Sequence, residues 1–238
     1  TTYYGIDLYK KNRLGELLHA LADVEGIEWV RLHYAYPASF PTEILPVIKG
    51  HPNICRYLDM PVQHVSGHML RKMRRGVTKK ATLGSLKKIR EGVPGIAIRT
   101  TIMVGFPGET EEDFDELVDF VREQEFERLG VFKYSHEENT TAFALGDTVA
   151  EELKEERYNI IMSVQQQVSE KLNKEKIGKT TKAIIDRGEG GYFVGRTEFD
   201  SPEVDNEVLI KADSLKTGTF VDVKIKGSDA YDLYAELV

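Results

Sequence analysis

Residues 100–120, TTIMVGFPGETEEDFDELVDF, pass from a β-favouring apolar run into an amphipathic helix across six residues, Gly105-Phe106-Pro107-Gly108-Glu109-Thr110. A strand that runs straight into a helix demands a βα unit, and such units build parallel sheets. Phe114, Leu117, Val118 and Val121 repeat at i, i+3, i+4 and i+7, which gives the helix one apolar face. Thr110 is its expected N-cap, and Glu111, Glu112 and Asp113 fall where the helix dipole favours negative charge.

Three more β-patterned runs, 28–34, 56–63 and 129–135, join the strand at 96–104. Helical patterns lie between and around them near 14–24, 43–49, 68–74, 83–91 and 111–125. This alternation predicts the α/β class, with a parallel sheet and right-handed crossovers. The pattern changes after Gly146. A long charged helical stretch at 148–176 is followed by short β runs at 181–187, 192–198, 208–211, 219–226 and 231–237, which predict a small closed barrel. The expected division is therefore 1–176 and 177–238.

Composition narrows the function classes. No apolar run is long enough to span a bilayer, and TTYYGIDLYKKN lacks the pattern of a signal peptide. The single cysteine, Cys55, excludes internal disulfides, fits a reducing compartment, and cannot make a metal site unaided. A net charge of −7 argues against a nucleic-acid-coating protein.

Strand side chains alternate between faces. On 96–104 the residues Ile96, Ile98, Ile102 and Val104, interrupted by Thr100, suit a helix layer, whereas Arg99, Thr101 and Met103 share the other face. The strand at 28–34 likewise sets Arg31 and His33 apart from Val30 and Leu32, and 56–63 sets Asp59 and Gln63 apart from Leu58, Met60 and Val62. Phe132 and Tyr134 lie opposite Lys133 and Ser135. Buried polar groups need partners. This register therefore implies either a wet, ligand-sized cavity or a lattice in which Arg31 or Arg99 pairs with Asp59. At the C-terminal ends of the strands, Gly105 and Gly108 would let backbone approach a ligand, and the helix N-terminus beyond them would favour an anionic group. His33, His64 and His68 are expected to be hydrogen-bonded structural histidines. Met69 and Met73 are expected in the core.

Five stretches, RLHYAYP (31–37), YLDMPVQHVSGHMLRKMRRG (57–76), RTTIMVGFPGETEEDF (99–114), FKYSHEENT (132–140) and VGRTEFDSPEVDNEV (194–208), together resemble the radical S-adenosylmethionine (SAM) methylthiotransferases. The resemblance implies a partial, open TIM-like β/α barrel followed by a small OB-like TRAM barrel. It also implies SAM and two 4Fe–4S clusters as cofactors, an electron donor, and chemistry begun by reductive cleavage of SAM, with no classical catalytic side chain. The family's CxxxCxxC is absent here, so no metal ligand is expected in this chain, which reads as a piece of a longer protein. TTYYG resembles the end of an earlier strand.

MPVQHVS and YAYP look most like the branch that methylthiolates the β-carbon of an aspartate in small-subunit ribosomal protein S-twelve. The alternatives are a tRNA methylthiotransferase of the same family and a non-catalytic ribosome-binding adaptor. For SAM the resemblance points to Gln63, Arg99, Thr101, Gly105, Phe132 and Tyr134. With eight Lys/Arg against twelve Asp/Glu over 177–238, the C-terminal domain is acidic. It is expected to meet a basic ribosomal protein through Glu198, Asp200, Glu203, Asp205 and Glu207 rather than to bind RNA. A cytoplasmic monomer without membrane contact completes the expectation.

Overall fold

A computed structural model describes residues 1–238, which divide into two compact units, Thr1–Gln165 and Gln166–Val238. The first unit holds a four-stranded parallel sheet in the order β1 (Val30–Leu32), β2 (Ile54–Asp59), β3 (Ala97–Val104), β4 (Arg128–Lys133). Around it lie α1 (Ile6–Tyr9), α2 (Leu14–Ala22), α3 (Leu45–Gly50), α4 (Gly67–Lys72), α5 (Lys79–Gly92) and α6 (Glu111–Gln124). The long helix α7 spans Glu151–Lys174, so the boundary between the units falls within it.

The apolar register on β3 is the helix-facing one. Ile98, Ile102 and Val104 are buried in one core with Leu86, Ile89, Phe114, Leu117, Val121, Ile161 and Val164. Thr100 belongs to this face for a local reason. Its hydroxyl donates to the Met60 carbonyl (2.9 Å) and accepts from the Val62 N–H (3.3 Å), serving the backbone where the chain bulges away from β3 just after β2.

The N-terminal residues differ from expectation. TTYYG is not a strand end but a hydrogen-bonded turn leading into α1. Thr1 Oγ1 donates to the His33 carbonyl (2.7 Å), and the buried Thr2 hydroxyl accepts the Tyr36 N–H (2.6 Å). Two threonines that read as β-formers in isolation are thus used as local backbone partners.

Helix α6 begins with a full capping box: Thr110 Oγ1 accepts the Asp113 N–H, and the Asp113 carboxylate accepts the Thr110 N–H. Asp113 also receives the Ser66 hydroxyl and His68 Nδ1 (2.7 Å), while Ser66 caps α4. Partial burial would raise the Asp113 carboxyl, but the hydrogen bonds from Ser66, His68 and Thr110 outweigh it and hold the group far below the ordinary carboxylate range. A carboxyl depressed by folding stabilises fully above its unfolded value, near pH 4, and loses that contribution as pH falls through the folded value. Asp113→Asn is therefore expected to cost about 2 kcal/mol at pH 7. In acid-titrated urea melts the difference from wild type should hold above pH 5 and shrink well below pH 4. A difference independent of pH down to pH 2 would refute the assignment.

The second unit is a closed barrel, ordered β5 (Thr180–Glu189), β6 (Tyr192–Thr197), β7 (Val208–Lys211), β9 (Leu233–Leu237), β8 (Phe220–Ser228). Alternate residues fill its interior: Ala183 and Ile185, Val208 and Ile210, Val223 and Ile225, Leu233 and Ala235. Gly195 lets β6 close on β5, since a Cβ there would stand 2.3 Å from the Ile184 carbonyl oxygen.

Candidate cofactor and substrate site

The sheet face opposite the helices is mixed in chemistry and only partly covered. Arg31, His33, Gln63, Arg99, Thr101, Met103 and Gly130 are half-buried on or beside it, and Phe132, opposite Met103 in the β3–β4 register, is 58% exposed. One ion pair of the expected lattice exists. Arg99 donates to the buried Asp59 (3.2 Å), which also accepts the Tyr34 N–H (3.2 Å) and lies 3.9 Å from His33. Arg31 instead lies over aromatic rings, 4.8 Å from the Tyr57 centroid and 5.8 Å from that of Trp29. The Arg99–Asp59 pair joins residues that stand opposite each other in the β2–β3 register.

Gln63 stands out. The chain leaves the sheet after Asp59, bulges through Pro61 and Val62, and rejoins β3 at Gln63 through two backbone bonds, to the Thr101 carbonyl and from the Met103 N–H (2.9 Å each). Gln63 is held at φ 63°, a left-handed conformation that costs a non-glycine residue of order 1 kcal/mol or more. Its Oε1 is buried with no hydrogen-bond partner. A strained residue fastened on both sides, with an unsatisfied acceptor, marks a ligand position. Thr101 lies beside it on β3.

The other residues expected at the cofactor are engaged differently. Gly105 has φ 73°, but its open side is filled: a Cβ there would stand 2.3 Å from Lys154 Cγ of α7. Its N–H donates to Glu109 Oε2 (2.7 Å). Gly105 therefore makes room for a buried lysine rather than for a ligand. Tyr134 is buried, with its ring edge-on to Phe106 (5.2 Å) and the Lys154 ammonium 5.6 Å from its centroid, so what it offers is a buried hydroxyl that has no partner. The expected anion site at the start of α6 is also taken. Gly108 N–H goes to Thr148 Oγ1 (2.9 Å), and Thr110 N–H to Asp113.

The reason for the peculiar turn lies in a network that sequence reading does not reveal. Glu109, fully buried, accepts from Gly105 N–H, from His64 Nε2 (3.1 Å) and from Arg157 (2.6 Å). His64 Nδ1 accepts the N–H groups of Val65 and Ser66 (3.0 Å each), which assigns the proton to Nε2. Arg157 lies over the Phe114 ring, and Lys154 pairs with Asp147 (2.7 Å). Two distant stretches of chain, at His64 and Arg157, are thus tied to the βα turn by one carboxylate. His64 and His68 have the structural role expected of them.

No metal site accompanies these residues. A 4Fe–4S cluster with one open iron needs three thiolates, yet Cys55 is buried on β2 and no group of three or more His, Cys, Asp or Glu side chains could hold a metal. The residues present fit SAM, since Gln63 and Tyr134 offer buried oxygens without hydrogen-bond partners, and do not fit the cluster.

In the second unit, the five acidic residues expected to meet a partner divide. Asp200 is buried and takes the Thr197 hydroxyl (2.6 Å), Asp205 accepts the Ser201 N–H (2.8 Å), and Glu207 forms a two-pronged pair with Arg187 (2.7 and 2.9 Å). Asp200 therefore cannot meet a partner, because the acidic loop uses it to fold onto itself. Glu203 is exposed, and Glu198 is half-buried beside a pocket of about 210 Å³ that also includes Lys176, Lys179 and Phe199. No helix is long and apolar enough to cross a membrane.

Comparison with known proteins bears on the family and the fold. The radical SAM superfamily model matches residues 3–121 and the TRAM domain model residues 177–238. Among curated proteins, the ribosomal protein uS12 methylthiotransferase RimO of Flavobacterium psychrophilum is 57% identical over 99% of this chain and 55% of its own length. The protein of the same name from Cytophaga hutchinsonii is 55% identical over 100% of this chain and 55% of its own length. The chain thus spans about half the length of the curated relatives it matches. Among solved structures, coproporphyrinogen III oxidase (HemN) from Escherichia coli, a radical SAM enzyme, shares the fold at 15% identity and TM-score 0.51, over 94% of this chain and 54% of that one. With a partial parallel β/α sheet and a closed five-stranded barrel, each matched by its family model, the chain belongs to the radical SAM superfamily and carries a TRAM domain.

Proposed function

We infer that this chain forms part of a radical SAM methylthiotransferase acting on an aspartate β-carbon of ribosomal protein uS12. The observation that carries this reading is the 57% identity, across nearly the whole chain, to relatives bearing that name. Hydrogen abstraction at an unactivated carbon is chemistry that SAM supplies together with an iron–sulfur cluster. Two 4Fe–4S clusters and an electron donor belong to the reading, with thiolates that this sequence does not contain. The residues described here bind and orient.

Gln63 Oε1 accepts from a ribose hydroxyl or the ammonium of SAM, Thr101 flanks it, and exposed Phe132 gives the adenine an apolar surface. Arg99, fixed by Asp59, bounds the site and orients the ligand's carboxylate. Tyr134 contributes its hydroxyl, and Gly105 shapes the turn. In the TRAM domain Glu203, with Glu198 and Glu207 beside it, faces a basic protein segment, and RNA is not its partner. The enzyme acts in the cytoplasm as a monomer.

Anaerobic reaction of the intact enzyme of which this chain forms part with uS12, followed by mass spectrometry, should place one methylthio group on an aspartate. Modification of tRNA with uS12 untouched would overturn the reading. Gln63→Ala and Arg99→Ala are each expected to weaken SAM binding by about tenfold, the loss of one or two hydrogen bonds to a charged ligand; the melting temperature should change little in Gln63→Ala and fall in Arg99→Ala, which leaves the buried Asp59 without its cation. Unchanged SAM affinity in both variants by calorimetric titration would remove those two residues from the site.

A further inference from the structure

The six histidines of this chain fall into two groups. Five have polar partners: His19 with His51 (3.3 Å), His51 also with the Val47 carbonyl, His33 near Asp59, His64 with Glu109 and His68 with Asp113. In the sixth, His136, Nδ1 is buried and has no partner. Its ring is nevertheless firmly placed. It stacks on Phe143 with centroids 4.3 Å apart and planes at 28°, and it meets the Tyr134 ring edge-on at 6.4 Å.

The segment that carries it is braced as well. Tyr134 N–H bonds the Val104 carbonyl at the end of β3 (2.9 Å), Thr140 Oγ1 donates to the Glu137 carbonyl (2.8 Å), and Phe143 N–H bonds Thr140 Oγ1 (3.2 Å). Two residues earlier, the Tyr134 hydroxyl is also buried without a partner. Burying such groups unpaired costs free energy, so their retention on a braced aromatic stack points to a ligand that satisfies them.

We propose that His136, just past the C-terminal end of β4, is an acceptor-binding residue whose Nδ1–H takes the carboxylate of the protein side chain to be modified. This rests on the uS12 reading above. An aspartate acceptor needs a donor for its carboxylate, and His136 provides one beside the strand ends where ligands of such sheets bind. The flanking Glu137 and exposed Glu138 favour the basic backbone segment in which a ribosomal aspartate is set, and they disfavour a free anion. SAM also carries a carboxylate, so the test separates the two sources.

The experiment measures uS12 and SAM affinities separately in the full chain without reductant, so that no turnover is needed. His136→Phe keeps the stack on Phe143 and removes the donor; His136→Asn keeps a donor. Binding of uS12 is expected to weaken about tenfold or more in H136F and to stay within about threefold in H136N, with SAM affinity unchanged in both. A uS12 variant with the acceptor aspartate changed to alanine should bind wild type about tenfold more weakly and lose nothing further with H136F. Equal binding of that variant and native uS12 to wild type would overturn the assignment, whatever the fold of H136F. So would additive losses, or a loss confined to SAM. Failure of wild type to bind uS12 would overturn both the assignment and the reading beneath it.

Discussion

Glu109→Ala is expected to cost the first unit about 3–5 kcal/mol, the range for breaking a buried ion pair by removing one partner. The Arg157 guanidinium would remain almost wholly buried, opposite a void, with the exposed Glu111 carboxylate (3.3 Å) and the long bond to the backbone carbonyl of residue 109 (3.4 Å) left to compensate and with its Nε already unpartnered. The N–H groups of Gly105 and His64 would lose their acceptor in the same step. For a unit of this size each kcal/mol shifts the melting temperature by roughly 2–4 °C, so a fall of about 10 °C is expected. Glu109→Gln should cost less, because it still accepts one N–H. Arg157→Leu in the Glu109→Gln background should cost less than the two changes summed, since the partners are then removed together. Strict additivity would show that the three bonds seen at Glu109 do not act as one unit.

This network also shows where sequence reading reaches its limit. The order of elements was legible because periodicity is local: β3, α6 and the barrel strands announce themselves in windows of ten residues. The polar register on β3, with Arg99, Thr101 and Met103 on the face away from the helices, was legible for the same reason. The role of Glu109 was not, because its partners lie 45 and 48 residues away in the chain. One signal was present. Lys154 and Arg157 stand at helical spacing from Ile161 and Val164, so two cations occupy the stripe that faces the core. A charge on an apolar stripe announces a partner, here the partly exposed Asp147 for the lysine and the buried Glu109 for the arginine. His136 shows a different limit. Its neighbours in sequence mark it as a loop residue, and only the stack on Phe143 and the unsatisfied Nδ1 set it apart. The acidic loop at 198–207 misled for a third reason: charge was counted without knowing that Asp200 is turned inward to Thr197.

Gly105→Ala should be strongly destabilising, and Gly108→Ala three residues on should be mild. Both glycines have positive φ, so each alanine carries about 1 kcal/mol of backbone strain. What differs is the obstacle. At Gly105 the new Cβ would stand 2.3 Å from Lys154 Cγ and 3.2 Å from its Cβ, atoms near the backbone of α7 in a buried side chain that cannot swing aside. At Gly108 it would meet Lys72 Nζ, the far end of a side chain on the exposed surface, which can move at little cost. Overpacking of the first kind costs about 1–3 kcal/mol beyond the strain, so Gly105→Ala is expected to lose about 3 kcal/mol and Gly108→Ala about 1. Lys154→Ala supplies the decisive background, because its partner Asp147 is partly exposed and tolerates the loss. In that background Gly105→Ala should fall to the strain term of about 1 kcal/mol, a coupling of about 2 kcal/mol in denaturant melts. If the full cost persisted without the lysine, the glycine would be serving the turn's own geometry, and its packing against α7 would be incidental.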